Sequence, residues 1–316
     1  MMIVLMVRPG ATQLWGDGYK NKATLRWKRV EGAQSYIIYR RERSGNYKKI
    51  AETAALSYID TSVKNDETYL YRVAASFRWN GDLISGEYSD SCKIKIMPVN
   101  PNEKMIALTF DDGPGPYTQD ILNCLRSHNA KATFFVVGDR VALYPEVARS
   151  IVSNGCEIGN HTLNHYDLPG LPLNHMRYQI EKNNEIVYDI TGKRPTLLRP
   201  PSGSISATVR MKSQMPIILW SLDPQDWIYR DKNRTISYVM NQVEDGDIVL
   251  MHDIQGSTRD AILELVGKLQ AEGYQLVTVS ELAKYRGGRL KNGFVYSKFP
   301  LSWSVEIDRR NVSSSK

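Results

Sequence analysis

Two hydrophobic rhythms divide this chain. Between residues 8 and 98, apolar and polar positions alternate over short runs at 23–27, 35–40 and 68–74. A period of two is that of half-buried β-strands. The runs are separated by turn-forming residues, at Val30-Glu31-Gly32-Ala33 and Ser44-Gly45-Asn46. Short strands at regular spacing predict a small all-β sandwich over 8–98, with Trp27 in its core and Tyr69 opening a late strand. Met97-Pro98-Val99-Asn100-Pro101-Asn102 ends this rhythm, since proline withholds a donor from a strand ladder. Residues 99–104 read as a linker.

After residue 104 the rhythm changes. Compact apolar runs at 106–110, 132–136, 157–159, 217–220, 248–251 and 275–277 read as strands. Helical stretches at 118–127, 145–153, 176–190 and 259–271 lie between several of them. This alternation predicts parallel β/α units over 105–300, and thus an α/β domain of barrel or distorted (β/α) barrel type. A short aromatic strand is expected at 293–297. Residues 301–316 read as a C-terminal tail, polar and disordered from about Arg309.

Composition adds boundaries to this multidomain picture. The chain has 316 residues, 42% hydrophobic and 24% charged, enough for one large domain and a small one. No run of 18 apolar residues exists, so no membrane span is expected. Met1 to Val7 is apolar but short for a signal peptide and lacks a preceding basic residue, so it reads as a trimmed remnant or a first strand. Three cysteines without a C-x-x-C spacing predict no disulfide framework. The net charge of +7 is concentrated early: residues 1–98 hold 16 Lys and Arg against 10 Asp and Glu. Without a basic run interleaved with aromatics, nucleic acid is not an expected partner. The basic first third is either a solvated face or a contact for an anionic surface such as a cell-wall polymer. A monomer is expected.

Candidate chemistry collects at the ends of the strand-like runs, where βα barrels place their active sites. Thr109-Phe110-Asp111-Asp112-Gly113-Pro114 ends one run in two adjacent carboxylates, and a turn there can aim both into one cavity. His161 and His165, four apart, would share a face on a helical turn. One Asp with two His forms a three-ligand set suited to Zn²⁺ that leaves a coordination position open, while a second Asp could take a proton from water. Taken singly, each motif has a plain structural reading: a solvated turn, a satisfied core histidine, a surface arginine. Arg199-Pro200-Pro201-Ser202-Gly203 offers a rigid loop whose arginine could grip a carboxylate with both arms. Asp223-Pro224-Gln225-Asp226-Trp227 sets a carboxylate beside an aromatic wall, and Leu250-Met251-His252 ends an apolar strand in a histidine.

In this order, Thr-Phe-Asp-Asp-Gly-Pro, His-Thr-x-x-His, Arg-Pro-Pro-x-Gly, Asp-x-x-Asp-Trp and Leu-x-His resemble the five motifs of the polysaccharide deacetylases, carbohydrate esterase family 4. The resemblance covers roughly residues 104–286. It implies a distorted (β/α) barrel that removes acetyl groups from N-acetylglucosamine polymers or acetylated xylan with a divalent metal. Carried over position by position, it implies Asp112, His161 and His165 as metal ligands and Asp111 as general base. Arg199 would position that base, His252 would be the general acid, and Asp226 would set the His252 pKa. Pro200, Ser202, Trp227 and Leu250 would line the substrate, with a backbone N–H near Ser202 facing the oxyanion. Zn²⁺ is the expected ion, with Co, Mn or Ni as alternatives. Family members often carry Tyr at the Ser202 position, so the rim here is expected to be more open. Before residue 99, the Leu-x-Trp, Val-x-Gly-Ala-x-x-Tyr-x-Ile-Tyr-Arg and Thr-Tyr-x-Tyr-x-Val-x-Ala runs resemble a fibronectin type III domain, which implies a spacer or adaptor.

The reading that follows is a metal-dependent N-deacetylase of a cell-wall or chitin-like polysaccharide, peptidoglycan being favoured, working outside the cell or at its wall. An O-deacetylase on acetylated xylan is the near alternative. A glycosidase using Asp111 and Asp226 would leave the histidine pair without a purpose. A glycan-binding protein with an inactive barrel is the non-enzymatic alternative.

Overall fold

The computed structural model describes residues 9–301. The apolar start at 1–7 and the polar end from Arg309 lie outside the described residues. The chain divides into two compact units between Asn100 and Pro101.

The first unit contains β1 (Leu14–Tyr19), β2 (Lys22–Trp27), β3 (Ser35–Arg41), β4 (Lys48–Thr53), β5 (Ser57–Asp60), β6 (Thr68–Trp79), β7 (Asp82–Tyr88) and β8 (Cys92–Lys95). One antiparallel sheet runs β1-β2-β5; the other runs β4-β3-β6-β7, with β8 also paired to β6. Alternation dictates the packing: Ala23, Leu25 and Trp27 of β2, and Tyr69, Tyr71 and Val73 of β6, are buried between the sheets. Trp27 and Tyr36 touch with ring centroids 5.6 Å apart. Tyr69 opens β6, and its hydroxyl accepts the Lys64 N–H, 3.2 Å away. A partly buried ion pair, Arg40 to Asp60 at 2.7 Å, is completed by the Tyr71 hydroxyl, which donates to the buried Asp60.

The second unit contains β9 (Met105–Asp111), β10 (Thr133–Val136), β11 (Glu157–Asn160), β12 (Ile217–Ile218), β13 (Ile248–His252), β14 (Gln275–Leu276) and β15 (Val295–Tyr296). All seven β9 residues are buried, because the strand lies mid-sheet, parallel to β10, β13 and β14. β11 follows β10 in parallel, and single parallel bridges, Asn160 to Leu198, Leu198 to Ile217 and Leu222 to Val249, carry the pairing onward and back to β13. The result is a distorted β/α barrel. Around it lie α1 (Thr118–Ser127), α2 (Gly138–Leu143), α3 (Pro145–Ser153), α4 (Leu173–Thr191), α5 (Ala207–Lys212), α6 (Asp226–Tyr229), α7 (Lys232–Gln242), α8 (Gly256–Ala271) and α9 (Val279–Tyr285).

α1 and α3 fall on the stretches the hydrophobic pattern marked. α2, α5, α6, α7 and α9 were not expected, being one- to three-turn helices with too few apolar positions for a clear 3.6-residue period. The strand expected at 217–220 shrinks to Ile217–Ile218, because the Ile218 and Leu219 carbonyls accept hydrogen bonds from the Arg199 side chain.

Candidate active site

The C-terminal end of β9 delivers two carboxylates to one place. Asp111 is buried at the strand end, and Asp112 follows with φ 73°, a left-handed conformation that swings its side chain out of the strand's alternation. Beneath the turn lies Asp253. A Cβ on Gly113 would fall 2.2 Å from Asp253 Oδ2, so only glycine fits there.

His161 and His165 meet with ring centroids 5.0 Å apart, but not on the helical turn their spacing suggested. They sit on a loop after β11 in which Thr162 (φ 67°) and His165 (φ 63°) are left-handed. Side-chain hydrogen bonds hold the loop against helix formation. Asn160 Oδ1 accepts the Thr162 N–H at 2.7 Å, and Thr162 Oγ1 accepts the His165 N–H at 3.1 Å. From α4, Asn183 Nδ2 donates to the Thr162 and Val136 carbonyls at 2.6 and 2.8 Å.

Asp112 Oδ1 lies 3.4 Å from His161 Nε2 and 3.1 Å from His165 Nε2, and one ligand atom from each of the three residues fits within 4.8 Å. Although both imidazoles are near, Asp112 Oδ1 is buried without a well-aligned hydrogen bond. Three donors converging on a point rather than bonding each other is the arrangement a cation requires. His161 Nδ1–H donates to the Arg199 carbonyl at 2.7 Å, which fixes the tautomer and turns the Nε2 lone pair toward that point. Burial would raise the Asp112 carboxyl, yet the His161 and His165 imidazoles and the His252 charge hold it well below the usual carboxylate range. Asp112 in turn raises His165.

Arg199 is fully buried. Its Nη1 donates to Asp111 Oδ1 at 2.8 Å and to Thr109 Oγ1 at 2.7 Å. The two-armed grip expected of it is absent, because Nε and Nη2 are taken by the Ile218 and Leu219 carbonyls. Phe135 lies under the guanidinium, 4.2 Å from ring centroid to Cζ. Asp111 Oδ2 is left 3.8 Å from His161 Nε2.

Across β13, His252 stands in register with Asp111. Its Nδ1–H meets Asp226 Oδ1 at 2.9 Å, and its backbone N–H donates to Asp226 Oδ2 at 2.8 Å. Burial would lower the His252 pKa, but the Asp226 hydrogen bond and charge, with the Asp111 and Asp112 charges, push it up to about 9. Trp227, half exposed, approaches the His252 ring edge-on at 6.5 Å. Pro200 is buried, and Ser202 is exposed in a short 3-10 turn at Pro201–Gly203 with φ 57°. Leu250 is buried in register with Thr109.

Sequence reasoning missed several polar residues. Thr258 Oγ1 donates to Asp226 Oδ2, completing that carboxylate's bonds. Asp253 accepts from the Thr118 hydroxyl, and burial pushes its pKa up to about 7. The adjacent Asn183 and Asn184, buried inside an otherwise ordinary helical pattern, were the one readable signal.

A family model for polysaccharide deacetylase matches residues 99–215. The peptidoglycan-N-acetylmuramic acid deacetylase PdaC of Bacillus subtilis is 45% identical over 192 residues, 60% of this chain and 41% of that protein. Its solved structure superposes with a TM-score of 0.61 at 41% identity, covering 67% of this chain and 99% of that one. A peptidoglycan-N-acetylglucosamine deacetylase of Bacillus cereus is 37% identical over 58% of this chain and 91% of its own. A family 4 acetyl xylan esterase from Clostridium thermocellum, solved with cobalt, gives a TM-score of 0.60 at 32% identity, over 62% of this chain and all of that one. This chain thus spans about two fifths of the full length of the Bacillus subtilis relative. With the motifs, the barrel and these likenesses together, the chain belongs to the polysaccharide deacetylase family.

Proposed function

We propose that this chain is a divalent-metal-dependent N-deacetylase acting on the N-acetylated amino sugars of peptidoglycan. The observation that carries the reading is one connected cluster: three converging donors (Asp112, His161, His165) flanked by an Arg199-held carboxylate and an Asp226-held imidazole. Zn²⁺ suits the two-nitrogen, one-carboxylate set, with Co, Mn or Ni as alternatives.

When bound, such a cation supplies Lewis acidity toward the acetyl oxygen and the attacking water. Asp111, with Oδ1 held by Arg199, offers Oδ2 to take the proton of that water. By the family resemblance, a backbone N–H near Ser202 would serve the developing oxyanion, a kind of donor worth about 3–4 kcal/mol. His252, its Nδ1–H anchored on Asp226, is protonated at neutrality and donates from Nε2 to the departing amine. Trp227 walls the acetyl group, with Pro200 and Leu250 behind the loop and strand that shape the pocket. Ser202, small where relatives often carry Tyr, leaves room at the rim for a substituted sugar. Action at the cell wall fits this substrate. The first unit, of fibronectin type III kind in this reading, holds the enzyme near it.

The test is acetate release from N-acetylglucosamine oligomers, from peptidoglycan and from acetylated xylan. Chelated protein and Asp111→Asn should each lose at least about 100-fold in rate. Release from xylan alone would replace the reading with an O-deacetylase. No release from any of the three would favour a glycan-binding protein.

A further inference from the structure

Part of the first unit's basic excess lies on one surface. The outer face of the five-stranded sheet carries Arg41 on β3, Arg72 on β6, and Lys93 and Lys95 on β8; each alternates with an inward residue such as Tyr71 or Ile94. Register puts Arg41 opposite Leu70 and Leu70 opposite Lys93, while Thr68 faces Lys95, so the charges form a band crossing three adjacent strands. Among the described residues, none of these four makes an ion pair within 4.0 Å. Lys49, on the neighbouring strand, is by contrast neutralised by Glu52 at 2.9 Å.

Two details separate this band from an ordinary solvated face. Arg41 and Arg72 both lie against the Tyr47 ring, with Cζ 5.2 and 4.6 Å from its centroid. The Tyr47 hydroxyl is itself fixed by Ser91. Two like charges are therefore packed on one ring, and the Nε of each is buried without a hydrogen-bond partner. Two guanidinia that share one ring and have no carboxylate partner repel each other, and an anion beside the half-buried pair lowers that cost. Beside the band, Arg43, Lys93 and Lys95 line an open depression of about 420 Å³ with Thr68, Leu70, Asp66 and Glu67.

We infer that this face binds a phosphodiester polymer with a polyol or sugar backbone, the Arg41–Arg72 pair seating one phosphate while Lys93 and Lys95 receive the next. Guanidinium pairs match phosphate oxygens in a fork, and exposed lysines add sequence-independent charge. Nucleic acid fits the face less well. Base recognition needs open ring faces, whereas Tyr47 is covered by the two arginines and Tyr39 is packed on Tyr88, with centroids 5.2 Å apart. The inference stands apart from the deacetylase reading, since it concerns the first unit only.

The full chain is titrated with end-labelled poly(glycerol phosphate) by fluorescence anisotropy at two salt concentrations. Binding should weaken by about 10-fold or more between roughly 50 and 200 mM salt. Lys93→Glu with Lys95→Glu, both exposed and unpaired, should lose about 10-fold or more. Arg41→Gln with Arg72→Gln should lose as much. Lys193→Glu with Lys212→Glu in the second unit, the same charge change, should leave binding within about 2-fold. Circular dichroism and the calorimetric transition of the first unit report that each of its variants is folded, and acetate release from a soluble substrate reports the same for the second-unit control. No binding at low salt, equal loss in the Lys193/Lys212 control, or tighter binding to a single-stranded oligonucleotide or anionic phospholipid vesicles would each overturn the inference.

Discussion

At the scale of residues, the site under the proposed reading is a pair of proton carriers with opposite supports. Asp111 is held by a cation, Arg199, and His252 by an anion, Asp226. The second support sets a pH dependence. His252, raised to about 9, carries its proton through neutrality, so the rate should fall as pH rises through about 9. Asp226→Asn removes the hydrogen-bonded charge that raises it. The alkaline limb of kcat/KM should then move down by at least about one pH unit, which lowers the rate at pH 8 by about 2-fold or more through lost protonation. A limb that stays near pH 9 in this variant would remove His252 as the acid. Folding follows the same sign: the pair's contribution is complete below about 6.5 and is lost as pH rises through about 9. Asp111, Asp112, the two histidines and His252 were readable because their chemistry requires those residue types next to turn signals. Thr258 and Asp253 were not, because a hydroxyl or carboxylate reveals its task only through a partner distant in the chain, as Thr258 does with Asp226 and Asp253 with Thr118.

At the scale of elements, turns rather than strands decide where the three candidate ligands point. The spacing of His161 and His165 was legible, but the helical turn inferred from it was not the solution adopted. Asn160 and Thr162 cap the loop's backbone and Asn183 ties it to α4, contacts that no local period encodes. The carboxylate turn is equally specified from afar. Gly113→Ala would put a methyl group 2.2 Å from Asp253 Oδ2 and 2.3 Å from its Oδ1, in a buried place with no room to yield. The turn must shift, and Asp112, one residue earlier, shifts with it. The expected outcome is a divalent-ion affinity weakened by about 10- to 100-fold, measured by competition with a chromophoric chelator, in a protein with an unchanged far-UV spectrum. Metal affinity equal to that of the unsubstituted protein would show that the turn does not govern Asp112.

At the scale of the whole molecule, the change of hydrophobic rhythm near residue 100 marks a physical division, because the residues on either side of it are buried in separate clusters. Each unit closes its own core: Trp27, Tyr36, Ile38 and Tyr71 in the first, Leu108, Phe110, Phe134 and Met251 in the second. Strand-by-strand pairing was beyond the sequence, since the bridges at Leu198 and Leu222 are single contacts within irregular backbone. Separate cores predict separate responses to damage. Trp27 is 2% exposed and packs on Tyr36, so Trp27→Ala should cost the first unit about 3–5 kcal/mol. Calorimetry should then show one unfolding transition moved down or lost, while a second, belonging to residues 101–316, keeps its midpoint. The acetate-release rate on a short soluble oligosaccharide should stay within about 2-fold, since none of the residues that hold Asp111, Asp112 or His252 belongs to the first unit. If both transitions fell together, or the rate on the short substrate collapsed with the first core, the two units would be one cooperative body, and the first would be part of the machinery of the second.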